Sequence, residues 1–162
     1  MAALVAMALA APMLAACISD VRRRIIPDWT VLAIGSVGLA SALVLGILPD
    51  ATLGGLLCLG GGALAARLGA WGWGDAKLLG ATGLVTGYSA LPALILGTAA
   101  AGGMLAAALL LLRAPVQARR LALPDGAPRW LRAEQTRLRR APSVPYGLAI
   151  IAGLLFALWP EA

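Results

Sequence analysis

The sequence contains no histidine. That absence removes serine–histidine and cysteine–histidine nucleophile systems, the HExxH arrangement of zinc hydrolases and most zinc or iron sites. Cysteine is nearly absent too. Cys17 and Cys58 both lie inside apolar runs with no CxxC pair, so neither a zinc site nor a disulfide framework is suggested. No GxGxxG and no phosphate-binding loop occurs, which leaves nucleotide binding without support. Charge is scarce as well: 12% of residues are charged against 61% apolar, with a mean hydropathy of +0.90. A water-soluble domain of 162 residues would carry far more polar surface.

What is present is a series of long apolar runs with short breaks, which predicts an all-α polytopic membrane protein with about six transmembrane helices. The runs fall at 2–19, 29–48, 51–68, 76–89, 92–112 and 145–160. A bilayer core takes about 20 residues of helix, so the fourth run is short. Pro92, after "GYSALP", fits the first turn of the fifth helix. The 20 glycines and abundant alanine suit close helix contact in lipid, where packing replaces the hydrophobic effect.

Charge tests this count. Six crossings put all 13 basic residues on one side, from Arg22, Arg23 and Arg24 through Arg67 and Lys77 to the arginines beyond Leu112. The positive-inside rule makes that side cytoplasmic and puts both termini outside. The basic cytoplasmic loop, 113–144, carries eight arginines and the segment "RWLRAEQTRLRR". It is expected to lie on anionic lipid headgroups, so the net charge of +6 points to a membrane surface rather than to nucleic acid. "LAAC" (14–17) imitates a lipoprotein cleavage box, but the positive charge follows the apolar segment instead of preceding it. With no internal repeat, residues 1–162 are expected to form a single transmembrane domain.

With histidine gone, chemistry falls to lysine or carboxylate. A serine–lysine system would bring Lys77 to Ser19, Ser36, Ser41, Ser89 or Ser143, and no spacing recommends it. Of the seven acids, Asp50 and Glu161 fall on the outer side and Asp125 and Glu134 within the basic loop. Asp20, Asp28 and Asp75 remain at the cytoplasmic edge. Asp20 closes the first span and Asp75 opens the fourth, so a six-helix path puts both at one depth on one side. Two carboxylates in contact cannot both ionise cheaply and share a proton. The ionised member can then activate water while the protonated one polarises a peptide carbonyl. Intramembrane acids are functional candidates by default.

Simpler readings stand beside this one. Asp75 also fits the N-cap of the fourth helix, and Asp28, after Pro27, fits a helix opening. Lys77 either reaches to headgroups or holds a substrate or catalytic carboxylate. Arg22, Arg23 and Arg24 act first as topology determinants. Gly72 and Gly74 leave no side chain to block an approaching peptide. A proton-coupled transporter using Asp20 and Asp75 as a relay, or a non-catalytic secretion-assembly protein, would also account for buried acids.

Three motifs narrow the choice. "GWGDAK" (72–77) resembles the GxGDxK signature of the type IV prepilin peptidases, membrane aspartyl proteases of the GxGD kind. "DVRRRIIPD" (20–28) is similar to their other signature, an aspartate, an arginine two on, then Ile-Pro-Asn. "VPYGLAI" (144–150) is similar to their Pro-Tyr/Phe-Gly element. The resemblance implies Asp20 and Asp75 as catalytic residues, with Gly72, Gly74, Lys77, Arg22 and Pro27 in the two signatures. Pro145, Tyr146 and Gly147 would be structural or line the substrate groove. It implies no metal and no cofactor, and prepilins as partners: a basic leader beside an apolar helix, cut at the cytoplasmic face of the bacterial inner membrane. The small form resembles the peptidases of tight-adherence (Flp) pilus systems. Position 28 is Asp where the family usually has Asn, a third acid that either raises the pair's apparent pKa or caps a helix. The family's larger members carry a methyltransferase region with a cysteine tetrad; its absence from this sequence predicts peptidase activity without N-methylation.

Overall fold

The computed structural model describes residues 2–117, 128, 131 and 145–159. These residues form an all-helical bundle of six helices: α1 (Ala2–Arg23), α2 (Asp28–Leu45), α3 (Leu48–Arg67), α4 (Trp73–Thr86), α5 (Leu91–Gln117) and α6 (Tyr146–Ala157). Every expected span has its helix. Four of them, α1, α2, α3 and α5, are long and apolar enough to cross a membrane. The fifth run's helix continues to Gln117, so Arg113 is helical where the basic loop was expected to begin. Apart from that stretch and residues 128 and 131, the expected loop lies outside the described residues.

The breaks follow local chemistry. Gly46 ends α2 in the left-handed region (φ 71°), with its N–H returning to the last turn, as helix-terminating glycines do. Pro27, at φ −66°, is the N-cap residue of α2, and Pro49 sits in the first turn of α3, where a missing N–H costs nothing. Large apolar side chains such as Leu4, Met7, Leu32, Val44, Leu56 and Leu111 point outward. That is the expected surface for a bundle solvated by lipid tails.

Two helices are shorter than a span, α6 with 12 residues and, enclosed within the bundle, α4. Its 14 residues would span about 21 Å at 1.5 Å per residue, less than the roughly 30 Å hydrocarbon core. It packs against α2, α3 and α6, and eight of its residues are buried. A helix enclosed by protein need not reach both interfaces.

Its closest contact is with α3, and glycine makes that possible. A Cβ on Gly54 would lie 2.5 Å from the Gly87 carbonyl carbon and 2.8 Å from the Gly83 oxygen. A Cβ on Gly83 would lie 2.7 Å from the Gly54 oxygen. Both obstacles are backbone and cannot swing aside. Small residues facing one another in this way let helices approach where lipid gives no hydrophobic drive.

At the end of the bundle away from Asp20, Asp50 ties the start of α3 to the turn between α4 and α5. Its Oδ1 accepts the Ser89 N–H at 3.1 Å, its Oδ2 the Ser89 hydroxyl at 3.2 Å, and its carbonyl the Tyr88 N–H at 3.0 Å. Gly87 turns the chain there at φ 74°, where a side chain would be strained and would also collide with the Asp50 carboxyl.

Candidate active site

The last turn of α1, the first turn of α4 and the first turn of α6 lie at one end of the bundle, because successive helices run in opposite directions. The loop 24–27 joins α1 to α2 and directs Ile26 inward. The Ile26 side chain touches two motifs at once: a Cβ on Gly74 would stand 3.4 Å from Ile26 Cβ, and one on Gly147 would stand 3.1 Å from Ile26 Cδ1. All three sequence motifs therefore meet around one isoleucine. Ile26 is the isoleucine of the Ile-Pro element in the second signature, but the motif assigned it no role of its own.

Asp20 is buried, 5% exposed, in a bundle where charge is rare. Gly147 lies against it: a Cβ there would be 2.8 Å from Asp20 Oδ2. The Arg24 charge acts on the carboxyl, and the Gly147 backbone in the first turn of α6 lies against it, while the Leu148 N–H donates to the Pro145 carbonyl at 3.2 Å. N–H groups in a first helical turn lack intrahelical acceptors and favour an anion. Among the described residues, Asp20 Oδ2 itself has no hydrogen-bond partner. A buried carboxylate oxygen left open is expensive unless something else uses it.

Asp75 is half-buried on the third residue of α4. The helix begins three residues earlier than the N-cap reading of Asp75 requires, and Gly72 is the N-cap residue. Asp75 reaches back instead, and its Oδ2 accepts the Gly72 N–H at 3.2 Å. That bond resembles half of a capping box and occupies one oxygen only. The Asp20 charge acts on Asp75, so the two acids are electrostatic neighbours although 55 positions apart in sequence.

The remaining motif residues divide. Pro145 precedes α6 as its N-cap residue, and the Tyr146 ring lies 5.7 Å from that of Trp71, tilted by 37°. This aromatic pair joins the loop before Gly72 to the start of α6. Arg22 is exposed on the last turn of α1. Lys77 points away from the pair of acids, and its Nζ donates to Asp28 Oδ1 at 2.8 Å. The capping role considered for Asp28 is not the one found: it makes no capping hydrogen bond at the start of α2, and Thr30 Oγ1 donates to the Pro27 carbonyl there. A lysine 49 positions away meets its charge instead.

Arg24 is the residue that the sequence reading grouped too broadly. It is half-buried, unlike exposed Arg22 and Arg23, and it holds φ at 56°. A side chain in that left-handed region costs about 1–3 kcal/mol and clusters at functional sites. Its N–H donates to the Asp20 carbonyl at 2.9 Å, ending α1. The four-residue spacing from Asp20 was the available signal. Among the described residues, no group of three or more cysteine, aspartate or glutamate side chains converges as metal ligands would.

A sequence-family model described as the type IV leader peptidase family matches residues 7–107. The match includes the segments around Asp20 and Asp75 and stops short of Pro145–Gly147. No curated protein and no solved structure matches the chain.

Proposed function

Since the chain belongs to the type IV leader peptidase family, we propose that it is an aspartyl endopeptidase acting on prepilins. It removes their basic leader at the cytoplasmic face of the bacterial inner membrane, without N-methylating the product. The observation that supports this reading is that Asp20 lies against Gly147, and Ile26 borders both Gly147 and the Gly74 that precedes Asp75, with Asp75 within reach of the Asp20 charge. Two acids drawn into contact inside an apolar bundle would share a proton, which is the state needed to hydrolyse a peptide without a covalent intermediate.

The step balances as acid–base catalysis. The ionised carboxylate takes a proton from water as the water oxygen attacks the scissile carbonyl carbon. The protonated carboxyl gives its proton to the carbonyl oxygen. In the resulting diol the C–N bond breaks as the first acid passes its proton to the leaving nitrogen, and the second recovers one from a diol hydroxyl. Both acids return to their starting states. Gly72 and Gly74 leave the approach to Asp75 free of side chains. Arg22, Arg23, Arg67 and Arg113 stand on helix ends on the same side as the acids, which supports a cytoplasmic orientation.

Co-expression with a candidate prepilin and immunoblotting for the shortened product tests the reading. Asp20→Asn and Asp75→Asn should each abolish processing while the protein remains inserted in the membrane. Full processing by either variant would discard the proposal.

A further inference from the structure

A groove of about 810 Å³ lies between α2, α3 and α4. α2 and α3 each pack on α4 far more than on one another, so they splay apart over it. Gly80 and Ala81 form the floor, with Leu32, Leu39, Leu56 and Leu59 on the walls. The four leucines are exposed, so the groove opens on the surface that lipid tails cover. Lys77, Gly80, Ala81 and Leu84 line it at helical spacing from one face of α4. Asp75, two residues before Lys77, belongs to another face. The groove is therefore separate from the candidate active site.

Its hydroxyls are already spent. Ser36 Oγ donates to the Ala33 carbonyl at 2.9 Å, and Thr52 Oγ1 donates to the Leu48 carbonyl at 2.9 Å. An occupant of the inner part therefore meets an apolar wall and gains nothing from polar groups of its own. The two charged lining residues stand together at one end, where α2 and α4 begin, with Lys77 Nζ 2.8 Å from Asp28 Oδ1 and both side chains exposed. That is the end of the bundle where α1 and α3 finish in Arg22, Arg23 and Arg67. An apolar length with a charged mouth matches the division of a phospholipid into tails and headgroup. The size agrees, since small-molecule sites run to about 300–1,000 Å³. A helix with its side chains fills roughly 400–600 Å³ per turn, so the groove would seat fewer than two turns of one.

We propose that the groove binds a phospholipid whose headgroup carries both a phosphate and a primary ammonium, with Lys77 meeting the phosphate and Asp28 the ammonium. Charge complementarity selects this occupant. Lysine is a point-charge donor suited to phosphate, and an ionised aspartate only accepts, which suits the N–H groups of an ammonium. A headgroup bearing both charges answers both residues at once, so neither is left alone when their own ion pair opens. An anionic headgroup without an ammonium satisfies Lys77 but brings like charge to Asp28. A quaternary ammonium has no N–H to donate to the carboxylate. The inference concerns a lipid site on the far face of α4 and does not depend on Asp20 and Asp75 being the hydrolytic pair.

The test adds phosphatidylethanolamine, phosphatidylglycerol or phosphatidylcholine at equal concentration to the detergent-purified protein and reads the lipid retained by native mass spectrometry. Wild type should retain phosphatidylethanolamine roughly fivefold better than either of the others. Asp28→Asn leaves Lys77 alone at the mouth and should turn the preference to phosphatidylglycerol. Lys77→Gln should lower retention of phosphatidylethanolamine by roughly fivefold. Ser36→Leu fills the groove without touching either charge and should abolish that retention, so it decides the matter should the charge variants fail to fold. Equal retention of the three lipids by wild type, or unchanged retention of phosphatidylethanolamine in the folded variants, overturns the inference. So does one-for-one displacement of the lipid by added prepilin, which would give the groove to a substrate helix. A dimer that Ser36→Leu abolishes would give it to a second copy of the chain and overturn the inference equally.

Discussion

Gly62 offers a way to move Asp75 without touching it. It is buried on α3 opposite Ala76, the residue after Asp75. A Cβ added at Gly62 would stand 2.9 Å from Ala76 Cα, 3.2 Å from its Cβ and 3.4 Å from its carbonyl oxygen. Ordinary carbon contacts lie at about 3.5–4.0 Å, so the first turn of α4 must retreat by roughly 0.6 Å or more. Ala76 is fully enclosed, and the obstacle is main chain, so no side-chain rotation relieves it. Misplacing a reacting group by about 1 Å can reduce a rate about 100-fold. Gly62→Ala is therefore expected to slow prepilin cleavage by roughly 10- to 100-fold. Stability responds less, because overpacking costs about 1–3 kcal/mol while replacing glycine in a helix returns about 1 kcal/mol.

The neighbouring Gly61 is the control. It is exposed and nothing lies within 4 Å of a Cβ built there, so Gly61→Ala should cleave at the wild-type rate and melt no earlier. Both variants would be assayed for initial cleavage rate and for thermal unfolding in the same detergent. Equal cleavage rates in the two would refute the claim that close α3–α4 contact fixes the position of Asp75.

Two further outcomes test the surroundings of the site. Asp28→Asn, which substitutes the amide more usual in the family, should change the cleavage rate less than about fivefold, because an exposed ion pair is worth about 0–1 kcal/mol. A loss beyond 100-fold in the same cleavage assay would make Asp28 a participant rather than a partner for Lys77. Asp50→Ala removes the acceptor for two Ser89 hydrogen bonds and should lower stability by about 1–3 kcal/mol, read as an earlier thermal transition in detergent. Cleavage well below the transition should persist, since α3 is about 30 Å long and separates Asp50 from the acids.

The helices were legible because each is an apolar run bounded by glycine, proline or charge, and those are local signals. Their ends were less so. The start of α4 depends on Gly72 and Asp75 bonding to one another, which changes the role of Asp75 from first cap to third residue. The two aspartates could be singled out by elimination and by their motifs. What surrounds them could not. Lys77 with Asp28, Ser89 with Asp50 and Trp71 with Tyr146 join residues 49, 39 and 75 positions apart. No periodicity in one strand of sequence carries such pairings. Arg24 was hidden by its neighbours: three adjacent arginines read as one topogenic cluster, and only the fold separates the half-buried one from the exposed two.

The capping and catalytic readings of these aspartates now look less like rivals. An apolar bundle offers a buried carboxyl very few donors, since most backbone N–H groups are spent inside helices and polar side chains are scarce. The exceptions are the first turns of helices, whose N–H groups have no partner of their own. Asp75 takes one at the start of α4, and the Asp20 carboxyl lies against Gly147 at the start of α6. An acid that must be carried below the headgroups is thus held most cheaply at a helix start. Once two such starts and the end of α1 converge, the same termini that make burial tolerable also bring Asp75 within reach of the Asp20 charge. The bundle builds this approach from its own helix termini, which is how so small and apolar a sequence can place two acids at one end of a bundle without histidine.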